Sequence, residues 1–118
     1  MTNREEKNCI LSDFLRIISH ISDNEYQKRI WILNKGPECQ AFDDAVCDFF
    51  DLGECIFEDY VGYKITHKQQ QILNQFRNEF EKFSDDHDFP EEFIDTPEWA
   101  KIMDMAKEVL KAFDYKKN

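Results

Sequence analysis

"THKQQQILNQFRNEFEKF", residues 66–83, decides the fold class. Thr66 followed by Gln69 forms a capping box: the hydroxyl accepts from the amide three residues on, and the Gln side chain reaches back. Ile72, Leu73, Phe76, Phe80 and Phe83 then recur at intervals of three and four. That spacing predicts a long helix with one buried face.

Toward the C-terminus, SDDHDFPEEFID (residues 84–95) reads as a polar break with Pro90 inside it. Thr96-Pro97-Glu98 is the clearest helix start in the chain. It combines an N-cap hydroxyl, Pro at the first helical position and an acid at the positive end. The helix that follows should bury Trp99, Ile102, Met103, Ala106, Val109, Leu110 and Phe113.

Toward the N-terminus, residues 54–65 fit two readings: an irregular connection, or a small hairpin turning near Val61-Gly62. Residues 42–52 read as a short helix ending at Gly53. Phe42, Val46, Phe49 and Phe50 fall on one side, and Asp43, Asp44, Asp48 and Asp51 mostly on the other. Ser22 and Glu25 suggest another capping box, opening a helix to about Lys35 that Gly36 and Pro37 would end. Within it Arg29 to Leu33, RIWIL, would also suit a strand. Ile10, Leu11, Phe14, Ile17, Ile18 and Ile21 mark a first amphipathic helix over 9–21, with residues 1–8 frayed. The expected fold is therefore mainly α: a single-domain bundle of four to five helices around an aromatic core, with a hairpin near residues 55–65 as the open alternative.

Composition narrows the function classes. The chain has 118 residues, 42% of them hydrophobic and eleven of them Phe, which is too apolar for a disordered acidic tail. Gly and Pro number three each, too few for an all-β fold full of tight turns. A formal net charge of -10 argues against direct nucleic-acid binding and against docking on anionic membranes. No apolar run is long enough to span a bilayer, and the opening residues MTNREEKNC lack the apolar core of a signal peptide. A cytoplasmic location is expected, with Cys9, Cys39, Cys47 and Cys55 as reduced thiols.

Signatures of catalysis are absent from the sequence. The Gly residues are scattered, so there is no phosphate-binding loop, and no Gly-x-Ser-x-Gly elbow occurs. His20, His67 and His87 are far apart and read as packed or surface residues. Cys39, Cys47 and Cys55 recur every eight residues, whereas zinc ligands pair at two to four, so buried thiols are expected. The stretch 85–90 lacks the Gly of a calcium loop and has Pro where that loop must turn. The reading is of a protein without enzymatic activity, cofactor or metal. A metal-dependent enzyme built on paired carboxylates is the third alternative.

The charge map is informative. Between Lys35 and Lys64 lie Glu38, Asp43, Asp44, Asp48, Asp51, Glu54, Glu58 and Asp59, with no Lys or Arg. Between Lys82 and Lys101 lie Asp85, Asp86, Asp88, Glu91, Glu92, Asp95 and Glu98, again with none. Solvated helix faces ordinarily mix signs, because like charges one turn apart repel. One explanation is solubility of a Phe-rich chain. The sharper one is a surface for a basic protein partner formed by residues 43–59 and 85–95. Phe57, Tyr60, Tyr63 and Phe89 would serve as aromatic anchors within it. The same electrostatics would suit an acidic mimic of nucleic acid that regulates a DNA-binding protein.

The stretches EYQKRIWILNKGPECQAFDDAVCDFF (25–50) and FRNEFEKFSDDHDFPEEFIDTPEWAKIMDMAKEVLKAF (76–113) resemble a group of small bacterial immunity proteins of polymorphic-toxin and contact-dependent growth-inhibition systems. That resemblance implies a cytosolic antidote that binds and blocks one toxin domain. Toxin domains that cut nucleic acid are usually basic, and complementary charge speeds their capture.

Overall fold

The computed structural model describes the backbone of residues 3–33, 42–87 and 89–115, with side chains from Glu5 onward in those ranges. The helical elements are α1 (Asn3–Ile21), α2 (Asn24–Tyr26, continuing as a π-helix over Gln27–Ile32), α3 (Phe42–Phe57), α4 (His67–Asp86), α5 (Pro90–Phe93) and α6 (Pro97–Ala112). Among the described residues there is no strand. The chain is mainly α. The six α-helical segments exceed the expected four to five because two of them, α2 and α5, are about one turn long.

α1 packs against α3 and α6, and α4 packs against α6. Ring contacts tie α3 to α4: Phe49 lies 5.5 Å from Phe76 and 5.2 Å from Phe80. Neighbours run antiparallel. The start of α1 meets the end of α3 through Lys7 and Asp59, and the start of α4 meets the end of α6 through Gln69 and Ala112. One aromatic core fills the bundle, with Phe14, Phe42, Phe49, Phe76, Phe80, Phe93 and Trp99 fully buried. Edge-to-face pairs such as Phe42–Phe93 (4.8 Å) and Phe83–Phe93 (5.0 Å) dominate it, as ring quadrupoles favour.

Several local expectations hold. Thr66 caps α4 with both halves of its capping box in place. Thr96 caps α6 by accepting from the Trp99 amide, with Pro97 in the first turn. Leu73, Phe76, Phe80 and Phe83 are buried along α4, while Ile72 is half-buried.

Others are corrected. α1 begins at Asn3 rather than Cys9, with Glu5 and Glu6 in its first turn, where carboxylates favour the helix's positive end. Apolar periodicity had marked only its buried stretch. The cap of α2 is Asp23, which accepts from the Tyr26 amide; Ser22 instead donates its hydroxyl to the Ser19 carbonyl of the preceding turn. RIWIL is helical. Ile30 and Trp31 are buried with Gln27, while Lys28 and Arg29 are exposed, a spacing no strand provides. The expected end of that helix, Lys35 to Pro37, lies outside the described residues.

α3 does not stop at Gly53. It runs one more turn to Phe57, because Gly53 is buried against the rings of Phe14 and Phe57. A Cβ there would stand 2.8 Å from Phe57 and 3.0 Å from Phe14, so the missing side chain is what lets α1 and α3 approach. Of the two readings of residues 54–65, the hairpin is not formed: the segment is the end of α3 followed by a turn. In that turn the Gly62 amide donates to Asp59, and Lys64 takes a left-handed backbone (φ 57°).

Candidate binding surface on α3

The buried positions of α3 are Phe42, Ala45, Phe49, Gly53 and Ile56. Opposite them Asp43, Asp44, Cys47, Asp48, Asp51, Glu54, Cys55 and Glu58 are all exposed. At 100° per residue these eight positions fall within an arc of about 140°, and from Asp43 to Glu58 they extend about 22 Å. The outward arc of α3 therefore carries carboxylates and two thiols, and no cation. The alternation arises because the ring positions recur with the helical period and the acids occupy the remainder.

The second acidic window lies at one end of that arc. Phe42, at the start of α3, packs on Phe80 and Phe93. The first turn of α3 therefore sits at the end of the bundle formed by the last turn of α4 and by α5, where Asp85, Asp86, Glu91 and Glu92 are exposed. Asp88 lies outside the described residues. Asp43 and Asp44 thus share an end of the molecule with this window. Glu54, Glu58 and Asp59 lie at the opposite end.

Asp59 and Tyr60, both expected at the partner surface, have internal duties. Asp59 accepts from Lys7 Nζ at 2.8 Å and from the Gly62 amide at 3.0 Å. The Lys7 hydrogen bond first, and the Gly62 amide second, hold the Asp59 carboxyl below its ordinary range, and the same contact raises Lys7. Tyr60 is half-buried and donates its hydroxyl to Asn74 Oδ1 at 2.9 Å; burial is the main cause that raises its hydroxyl above the ordinary value. Among the four expected anchors Phe89 is 60% exposed. Tyr63 is buried beneath Lys7, which stands 4.6 Å over its ring, and Phe57 is half-buried beneath Arg77.

Cys9, Cys47 and Cys55 are exposed free thiols, which for Cys47 and Cys55 corrects the expectation of burial. Cys47 and Cys55 fall on the outward arc because eight residues make slightly more than two turns. Cys39 lies outside the described residues. His20 is half-buried and stacked 3.9 Å from Tyr26, and His87 stacks 3.9 Å from Phe83. Among the described residues no group of three or more His, Cys, Asp or Glu is placed to hold a metal ion. None of their helices is long and apolar enough to cross a membrane.

Sequence reasoning missed Arg77. Its guanidinium stands 4.3 Å over the Phe57 ring, beside Glu54, Glu58 and Phe50, which line the same surface cavity. In the sequence it is one Arg in the middle of a helix, and nothing local marks it. Compared with protein-family models, curated proteins and solved structures, the chain matches none.

Proposed function

We propose that the chain is a non-catalytic inhibitor that captures a basic protein partner on the outward face of α3. The partner class is a toxin domain whose cleft binds nucleic acid and is lined with Lys and Arg. The observation that carries this reading is the sign uniformity of the α3 arc: six carboxylates from Asp43 to Glu58, exposed, with no Lys or Arg among them. A face of one sign attracts a surface of the opposite sign, so a cationic partner would complement it. The carboxylates would both steer the encounter and cover the toxin's cationic cleft. Phe89 would add an apolar contact at the end where the two acidic windows meet. The bacterial immunity resemblance supports the same class.

The test begins with a pull-down from the native organism's lysate, washed at low and moderate salt. The captured protein is then purified for kinetics. The variant Asp43→Lys/Asp44→Lys/Asp51→Lys should slow association about tenfold or more at low ionic strength, with the gap closing as salt rises. An association rate that does not change would remove the α3 face from the interface. Recovery of a housekeeping DNA-binding protein instead of a secreted toxin domain would turn the reading toward a nucleic-acid mimic.

A further inference from the structure

We propose that the cavity between α3 and α4, lined by Phe50, Glu54, Phe57, Glu58 and Arg77, is the seat for one arginine side chain of the basic partner. This inference rests on the docking reading above and gives it an address. The cavity measures about 310 Å³ and opens at the edge of the acidic face.

Three features define what it takes. The first is charge: two carboxylates and one guanidinium leave one negative unit, which a single monovalent cation neutralises. An anion is disfavoured for the same reason. The second is commitment of the lining groups. Arg77 rests on the Phe57 ring, and its Nε is shielded with no hydrogen-bond acceptor. Among the described residues neither Glu54 nor Glu58 forms an ion pair with it or with any other cation. The resident cation is therefore held by a ring, and the carboxylates, one helical turn apart, keep their acceptor capacity. The third is the wall. Phe50 and Phe57 are half-buried, so each offers an aromatic surface to the opening. Phe57 holds the Arg77 guanidinium against its ring, the kind of ring–cation contact that the second ring of the wall, Phe50, would make with an incoming planar cation.

These features select guanidinium over other cations. A hard divalent ion needs six or more oxygens, and the cavity supplies two carboxylates between rings. An ammonium would find the carboxylates but would use the ring faces less well than a planar fork that can donate to both Glu side chains at once.

The experiment is a ¹⁵N–¹H NMR titration of the full chain with N-acetyl-arginine methylamide, with the neutral citrulline derivative as control. Saturable shifts centred on Phe50, Glu54, Glu58 and Arg77 are expected for arginine, and none for citrulline. The Glu54→Gln/Glu58→Gln variant should weaken half-saturation at least about tenfold. Both positions are exposed, and an unchanged circular dichroism spectrum and melt would confirm that the variant folds. Arg77→Gln should strengthen binding by a few-fold, because it removes the resident positive charge, a result that mere structural damage would not produce. Shifts spread evenly over Asp43–Asp51 and Asp85–Glu92 would overturn the seat and leave the broad docking face standing. No saturable shift at any acid would overturn both.

Discussion

Gln27 shows how much one buried polar side chain can organise. It is 0% exposed. Its Nε2 donates to the carbonyls of His20 (3.0 Å) and Ile21 (2.8 Å), which end α1, and its Oε1 accepts from Trp99 Nε1 at 2.8 Å. One amide thus caps α1 and ties it to the first turn of α6. Gln27→Met keeps the shape but strands the Trp99 indole N–H and both carbonyls. A loss of roughly 2–4 kcal/mol is expected, since each buried group left unpaired costs about 1–3. Urea unfolding at an unchanged slope would measure it. Adding Trp99→Phe should cost less than additivity predicts, because both partners are then gone. Gly53 makes the complementary point about space. Gly53→Ala gains helix propensity of about 1 kcal/mol but drives a methyl into Phe14, which is fully buried and stacked on Phe49. Overpacking costs about 1–3 kcal/mol, so a net loss is expected, read as a lower melting temperature.

Among the helices, α4 is the most self-specified. Its capping box closes within four residues, and its Gln69 also donates to the Ala112 carbonyl at the end of α6 at 3.0 Å. Thr66→Ala should cost about 1 kcal/mol. Gln69→Ala should cost more than Thr66→Ala, because it breaks the box and the link to α6 together. Equal losses in parallel denaturation curves would mean that the cross-helix bond contributes nothing. α3 divides its duties by face: its inward residues Phe42, Ala45, Phe49, Gly53 and Ile56 are buried in the core, while its carboxylates lie exposed on the outward side.

Across the bundle, the turn after α3 couples titration to folding. Lys7, Tyr60 and Tyr63 are all shifted up: Lys7 by its hydrogen bond to Asp59, and the tyrosines chiefly by burial. A group whose folded pKa exceeds its unfolded value contributes stability at lower pH and loses it as pH rises through the folded value. All three therefore weaken the fold on the alkaline side, and the urea midpoint should fall as pH climbs from about 9 to 11. Asp59 works in the opposite direction. Its carboxyl is shifted down, so its contribution holds above the ordinary 3.8 and disappears as pH drops through the folded value. Tyr63→Phe should flatten the alkaline limb and leave the acid limb unchanged; an unaltered alkaline slope would exclude Tyr63 as its cause.

The mainly helical class, the starts of α4 and α6 and the buried positions of α4 were readable in the chain. They depend on groups within one turn of each other: a cap hydroxyl and an amide three residues on, or apolar side chains spaced to share a face. The sign uniformity of α3 was legible for the same reason. The remaining features involve residues far apart in sequence. Asp59 is held by Lys7, 52 positions earlier. Gly53 continues a helix instead of ending it because the ring of Phe14 fills the space beside it. Glu54 and Glu58 share a cavity with Arg77 because α3 packs antiparallel to α4. Local periodicity encodes which face of a helix turns inward. Only the packing of one helix on another determines which neighbour meets that face, and so which carboxylates are engaged within the fold and which remain open to a partner.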